Sequence, residues 1–261
     1  MTRIARVFAE KPKVLVAYVT AGDPTPERTP ALVEALERGG ADLIELGVPF
    51  SDPVADGPII QRAGDRALRA GTTLAKVLEI ARCIRRRSEI PLLLFTYLNP
   101  VIRYGLDRLA ADAKAAGIDG CLLTDASVEE AGSYVDAMRA AGLDTVFLAA
   151  PTSTPRRLEL VAKFSSGFVY LVSRMGVTGE QSSVSAGVKP LIEAVRAVTT
   201  LPLAVGFGVS RPEHVAELSA ADGVVVGSAF MRIIEEHGNS PDLESRIESF
   251  TRELKGGFTA R

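Results

Sequence analysis

The chain has no tryptophan, two cysteines and two histidines in 261 residues, and each shortage closes a route to function. Cys83 falls in a helical pattern and Cys121 at the head of an apolar run, far apart and without metal-ligand spacing, so reduced structural thiols are expected. His214 and His237 both fall on predicted helices, which leaves no cluster of histidine with carboxylates to hold zinc or iron. A net charge of -2 offers no basic stripe for nucleic acid, and the Arg82 to Arg87 cluster lies at a predicted helix end, where cations are favoured. No apolar run approaches the ~18 residues of a membrane span. The opening Met1 to Phe8 has no signal-peptide core, and a cytoplasmic protein is predicted. No Ser/Gly/Pro-rich linker divides the chain, which predicts one domain over 1–261. None of Lys11, Lys13, Lys76, Lys114, Lys163, Lys189 and Lys255 stands at the C-terminal end of an apolar run. A Schiff-base aldolase needs a desolvated lysine at such a place, so that chemistry is disfavoured.

What is present is a repeated alternation. Short apolar runs at Val14 to Thr20, Leu43 to Val48, Leu92 to Leu98, Cys121 to Thr124, Thr145 to Ala150, Phe168 to Ser173, Leu203 to Phe207 and Val224 to Val226 alternate with helical spacings such as Leu74-Val77-Leu78. Strand and helix in alternation mean parallel strands with crossovers, and about eight units in this length predict an α/β fold, a (β/α)8 TIM barrel with an additional N-terminal helix. An open doubly wound sheet is the alternative. It usually carries phosphate glycines after its first strand, where Ala21-Gly22-Asp23-Pro24 lacks the G-x-G-x-x-G pattern.

In such a barrel the chemistry sits where strands end and loops toward helices begin. Leu43, Glu45 and Gly47 alternate onto one face of the second strand, which commits Glu45 to a buried face. A buried carboxylate asks for a reason, either an ion pair or catalysis. The Pro/Gly-rich loop from Val48 to Pro58 brings a further acid, Asp56. Gly206-Phe207-Gly208-Val209-Ser210 after the seventh strand and Val226-Gly227-Ser228-Ala229 after the eighth are positions where barrel enzymes hold a phosphate on backbone amides and a helix N-terminus. The long polar loop Arg174 to Gly187 reads as a lid over substrate or as a surface loop, and Gly179 could lend the phosphate an amide on closure. Tyr18, Phe95, Tyr97, Leu148, Tyr170 and Phe207 come from different strands toward the same end. Singly each is a core residue; together around two acids they suit a flat aromatic joined to a phosphorylated tail.

At this point the chain closely resembles one family, the tryptophan synthase alpha subunits. The matching segments are Tyr18-Val19-Thr20-Ala21-Gly22-Asp23-Pro24, the whole of Glu45 to Pro58, Tyr97-Leu98-Asn99-Pro100, Ser173 to Gly179 and Gly206 to Ser210, in family order over almost the full length. The resemblance implies retro-aldol cleavage of indole-3-glycerol phosphate to indole and glyceraldehyde 3-phosphate. It assigns Glu45 as general acid/base at the ring carbon and the glycerol hydroxyl, Asp56 as the acid that bonds the indole N–H, and Tyr170 as the residue that orients Glu45 or the hydroxyl. It assigns the phosphate to amides of Gly179, Gly208, Gly227 and Ser228 with Ile60 nearby, and the indole to Tyr18, Phe95, Tyr97, Leu148 and Phe207. Thr178 would contact Asp56 when the lid closes. The resemblance further implies a partner, a pyridoxal-phosphate beta subunit in an α2β2 assembly, and no cofactor in this chain. One departure is Asp125-Ala126-Ser127, where the family usually has Asp-x-Pro; losing the proline's fixed backbone angle is expected to loosen the loop after the fourth strand, although Ser127 is a capable helix N-cap. Rival readings are another phosphate-binding barrel enzyme, a partner-activating subunit with vestigial catalysis, and a free-standing indole producer.

Overall fold

The computed structural model describes residues 1–172, 188–206 and 208–259, and the expected lid from Arg174 to Gly187 lies outside them. The described strands are β1 (Val14–Thr20), β2 (Leu43–Gly47), β3 (Leu92–Thr96), β4 (Gly120–Leu123), β5 (Asp144–Ala149), β6 (Val169–Val172), β7 (Leu203–Gly206) and β8 (Gly223–Val226). All pair in parallel in chain order, and β8 returns to β1 with Val14 opposite Gly223, so the sheet closes and the open doubly wound alternative is excluded. The described helices are α1 (Arg3–Glu10), α2 (Thr29–Gly39), α3 (Pro58–Arg69), α4 (Leu74–Arg85), α5 (Leu98–Tyr104), α6 (Leu106–Ala116), α7 (Gly132–Ala140), α8 (Pro155–Phe164), α9 (Val188–Arg196), α10 (Pro212–Glu217), α11 (Ser228–His237) and α12 (Leu243–Gly256). None is long and apolar enough to cross a membrane.

Local chemistry sets many of these ends. Thr2, Thr73 and Thr154 each accept the amide three residues on, closing the first turns of α1, α4 and α8. Gly40 and Gly117, at φ 106° and 81°, end α2 and α6 in the left-handed conformation that only glycine adopts at no cost. β3 stops at Thr96, short of the expected Leu98, because Pro100 sits in the first turn of α5, where its missing N–H is not needed. Tyr97 therefore leaves the strand and becomes the residue that enters α5.

Strands buried on both faces produce two cores. Inside the barrel pack Val16, Leu43, Leu93, Leu122, Val146, Phe168, Ala204 and Val225, and the extra helix α1 seals the lower end with Ile4 and Val7. A fourfold clasp also closes that end. Asp42, Asp119, Ser166 and Asp222 precede β2, β4, β6 and β8, and each accepts through its side chain the amide of the strand before, from Leu15, Leu92, Thr145 and Leu203, at 2.7, 2.9, 3.1 and 2.7 Å. Each returns its own N–H to the carbonyl of the same residue at 2.8–2.9 Å. Strand starts that would otherwise leave buried amides unpaired are thus tied in pairs, which fixes the barrel frame and leaves the opposite end free for chemistry.

Candidate active site

At the C-terminal end of the barrel a cavity opens among Tyr18 of β1, Glu45 of β2, Asp56 and Ile60, Phe95 of β3, Thr124, Leu148 of β5, Tyr170 of β6, Gly208 and Val209, Val225 of β8, and Gly227 and Ser228. The register makes this convergence: Tyr18 lies opposite Glu45, and Leu148 opposite Tyr170. Glu45 is 1 % exposed, and its Oε1 has no hydrogen-bond partner among the described residues. An ion pair is therefore not what holds it there among those residues. Burial alone pushes the carboxyl up to about 8, so it carries its proton at neutral pH.

Asp56 is held differently. Its loop is pinned where the Ala55 N–H donates to the Tyr97 hydroxyl at 3.1 Å and the Gln61 amide donates to the Asp56 carbonyl at 2.8 Å. Burial raises the Asp56 carboxyl to about 6, against the opposing bond from the Tyr97 hydroxyl. Two acids in one cavity thus rest in different protonation states at pH 7, a proton on Glu45 and a charge on Asp56. Tyr97, expected on the indole wall, does not line the cavity. It packs its ring 5.3 Å from Phe50 and serves Asp56 through its hydroxyl.

Two glycines make room for the phenols. A Cβ on Gly206 would stand 2.6 Å from Cζ of Tyr170 and closer still to its hydroxyl; on Gly47 it would stand 2.6 Å from Cζ of Tyr18. Both tyrosines are buried, and burial holds both hydroxyls in the neutral form. Gly206→Ala should consequently drive Tyr170 off its position beside Glu45. Misplacement of about 1 Å costs on the order of 10²-fold, so steady-state kinetics should show a drop of that size in kcat/KM with the fold retained by circular dichroism. Tyr18 stacks edge-on to Phe95, ring centres 5.2 Å apart, and forms with it the aromatic wall.

The other end of the cavity is backbone. Gly208 has φ 85°, and Gly227 precedes the first turn of α11, whose N-terminus has no side-chain cap among the described residues and presents the positive end of the helix dipole. Phe207, Thr178 and Gly179 lie outside the described residues. Sequence reasoning missed Thr124, whose hydroxyl donates to the Thr96 carbonyl at 3.2 Å and lies in hydrogen-bonding contact with Tyr97. Its position at the top of the fourth strand was the available signal. His214 and His237 sit on α10 and α11 and do not line the cavity. Ser127 corrects another expectation: it precedes the 3-10 turn Val128–Glu130 but its side chain accepts no backbone amide there, its hydroxyl donating to the Glu129 carboxylate instead. Its φ of -67° is the angle a proline would impose, so the backbone keeps that course without one.

Comparison with known proteins follows the same lines. The family pattern described as Tryptophan synthase alpha chain matches residues 4–258. The tryptophan synthase alpha chain of Solibacter usitatus is 74 % identical over 266 residues, covering all of both chains. The crystal structure of tryptophan synthase subunit alpha from Legionella pneumophila superposes with TM-score 0.90 at 36 % identity, over 99 % of each chain. A chain of the tryptophan synthase a2b2 complex of Pyrococcus furiosus does so with TM-score 0.86 at 40 % identity, over 93 % of this chain and 98 % of that one. With a family pattern matched over residues 4–258 and a relative 74 % identical over the whole of both chains, the chain belongs to the tryptophan synthase alpha chain family.

Proposed function

We propose that the cavity binds indole-3-glycerol phosphate with its ring between Tyr18, Phe95 and Leu148 and its phosphate on the amides of Gly208, Gly227 and Ser228, and that Glu45 and Asp56 divide the chemistry of its cleavage. The chain is a lyase of tryptophan biosynthesis that yields indole and glyceraldehyde 3-phosphate. Glu45 in its acid form gives its proton to the ring carbon that bears the glycerol chain. The ring nitrogen becomes positive, and the Asp56 carboxylate accepts its N–H and stabilises the charge. Glu45, now a carboxylate, takes the proton of the adjacent hydroxyl. The carbon–carbon bond breaks, its electron pair restores the aromatic ring, and the carbinol carbon becomes the aldehyde. Glu45 ends protonated, ready for the next turnover. Tyr170, beside Glu45, orients it or the hydroxyl.

The observation that carries this reading is the Glu45 carboxyl, buried and unpartnered at Oε1 among the described residues. A pH profile of kcat/KM tests it. Activity needs Asp56 ionised and Glu45 protonated, so it should rise through about pH 6 and fall through about pH 8, a bell with its top between. A profile still rising through pH 9 would contradict the assignment.

The chain is the alpha subunit of an a2b2 complex, whose pyridoxal phosphate belongs to the beta subunit. Val54 and Ile102, 76 % and 66 % exposed, are large apolar side chains near this end of the barrel, on the Asp56 loop and on α5. They support docking of the partner over the cavity mouth, where it can act on Asp56 directly. We further propose that this biosynthetic reaction takes place in the cytoplasm.

A further inference from the structure

The segment from Gly208 to Arg211 joins the cavity to α10, and one side chain reaches back onto it. His214, the third residue of α10, is 1 % exposed. Its Nδ1 accepts the backbone N–H of Ser210 at 3.3 Å, and its Nε2 lies 3.1 Å from a guanidinium nitrogen of Arg211. Arg211, the residue before the helix, makes no side-chain cap. The acceptor role therefore passes to the third helical position, as in a capping box, where a side chain there reaches back to an amide ahead of the helix.

What distinguishes this cap is the segment it holds. Gly208 and Val209 line the cavity, and Gly208 turns the chain at φ 85°. A glycine amide can serve an anion only if the peptides on both sides of it keep their direction. Downstream that direction is held by the bond between His214 and Ser210.

We infer that His214 is a positioning residue for the phosphate end of the cavity, holding the Gly208 to Ser210 segment in place through the Ser210 amide without touching the ligand. The inference rests on the phosphate subsite proposed above. A core histidine of purely structural value would instead affect both ends of the cavity alike.

The test is binding of glycerol 3-phosphate and of indole to the full chain, each alone, by titration calorimetry, together with kcat and KM for cleavage. His214→Leu should weaken glycerol 3-phosphate about tenfold, the worth of one lost orienting hydrogen bond, and leave indole affinity unchanged. KM should rise while kcat stays within about twofold. His214→Asn, whose Oδ1 can stand where Nδ1 stands, should restore glycerol 3-phosphate affinity, whereas His214→Gln, whose polar end reaches toward Nε2, should not. Equal loss of both ligands in the leucine variant, or equal glycerol 3-phosphate affinity in the asparagine and glutamine variants, overturns the role. If the leucine variant does not fold, the asparagine and glutamine pair decides by itself. Wild-type chain that binds indole but not glycerol 3-phosphate would overturn the phosphate subsite; wild-type binding with all three variants unaffected would overturn only the part played by His214.

Discussion

Glu45→Gln is expected to lower indole formation by at least about 10²–10⁴-fold while making the protein more stable at alkaline pH. Glutamine keeps the volume and the polarity of the acid but can neither give nor take a proton, and Glu45 does both in one turnover. The stability effect follows from burial. The folded carboxyl titrates at about 8 against 4.5 for the free group, so between those values the native state binds more protons than the unfolded one. Stability therefore falls as pH rises through that window, by up to about 1.4 kcal/mol per unit, and the glutamine variant is spared the loss. Urea unfolding at pH 4 and pH 9 measures it. The variant should match the wild type at the lower pH and exceed it by a few kcal/mol at the higher. A gap that does not widen with pH would mean that Glu45 is not held in its acid form.

Asp56→Asn should cost about 10²–10³-fold in kcat, the usual loss when a charge aimed at the transition state is removed. An amide can still accept the indole N–H, so ground-state binding should weaken little and KM should change less than kcat. The pH profile separates this from misfolding. Without a carboxyl at position 56 the limb near pH 6 should vanish, and the limb near pH 8 that belongs to Glu45 should remain. If both limbs persist, the lower one belongs to another group and Asp56 loses its assigned charge.

How far the fold and site can be read from residues alone depends on whether the interactions are periodic. The barrel is legible because each parallel strand must be apolar on both faces and each helix on one, and both periods stand in the chain. The burial of Glu45 follows from strand alternation with Leu43 and Gly47, and all three are buried in the structure. Strand ends are read less well. Tyr97 looks like a strand residue beside Phe95 until Pro100 is seen to start a helix, and its hydroxyl then turns to Asp56 instead of the indole wall. The fourfold clasp beneath the barrel joins residues 19–27 positions apart, and no local pattern marks it. The same holds for the fit of Tyr170 over Gly206. A small residue at a strand end reads equally as a turn, a phosphate contact or room for a neighbour. Thr124 escapes for a related reason: a threonine closing a strand is ordinary, and only the convergence of eight strand ends gives it a place on the cavity wall.

The central claim is that this chain, through Glu45, cleaves indole-3-glycerol phosphate and is tuned by a partner. The direct measurement is release of indole and glyceraldehyde 3-phosphate by the purified chain, alone and with a tryptophan synthase beta subunit. The account predicts equal amounts of the two products, formed slowly by the chain alone and faster with the partner. No release in either condition from a folded chain would contradict it.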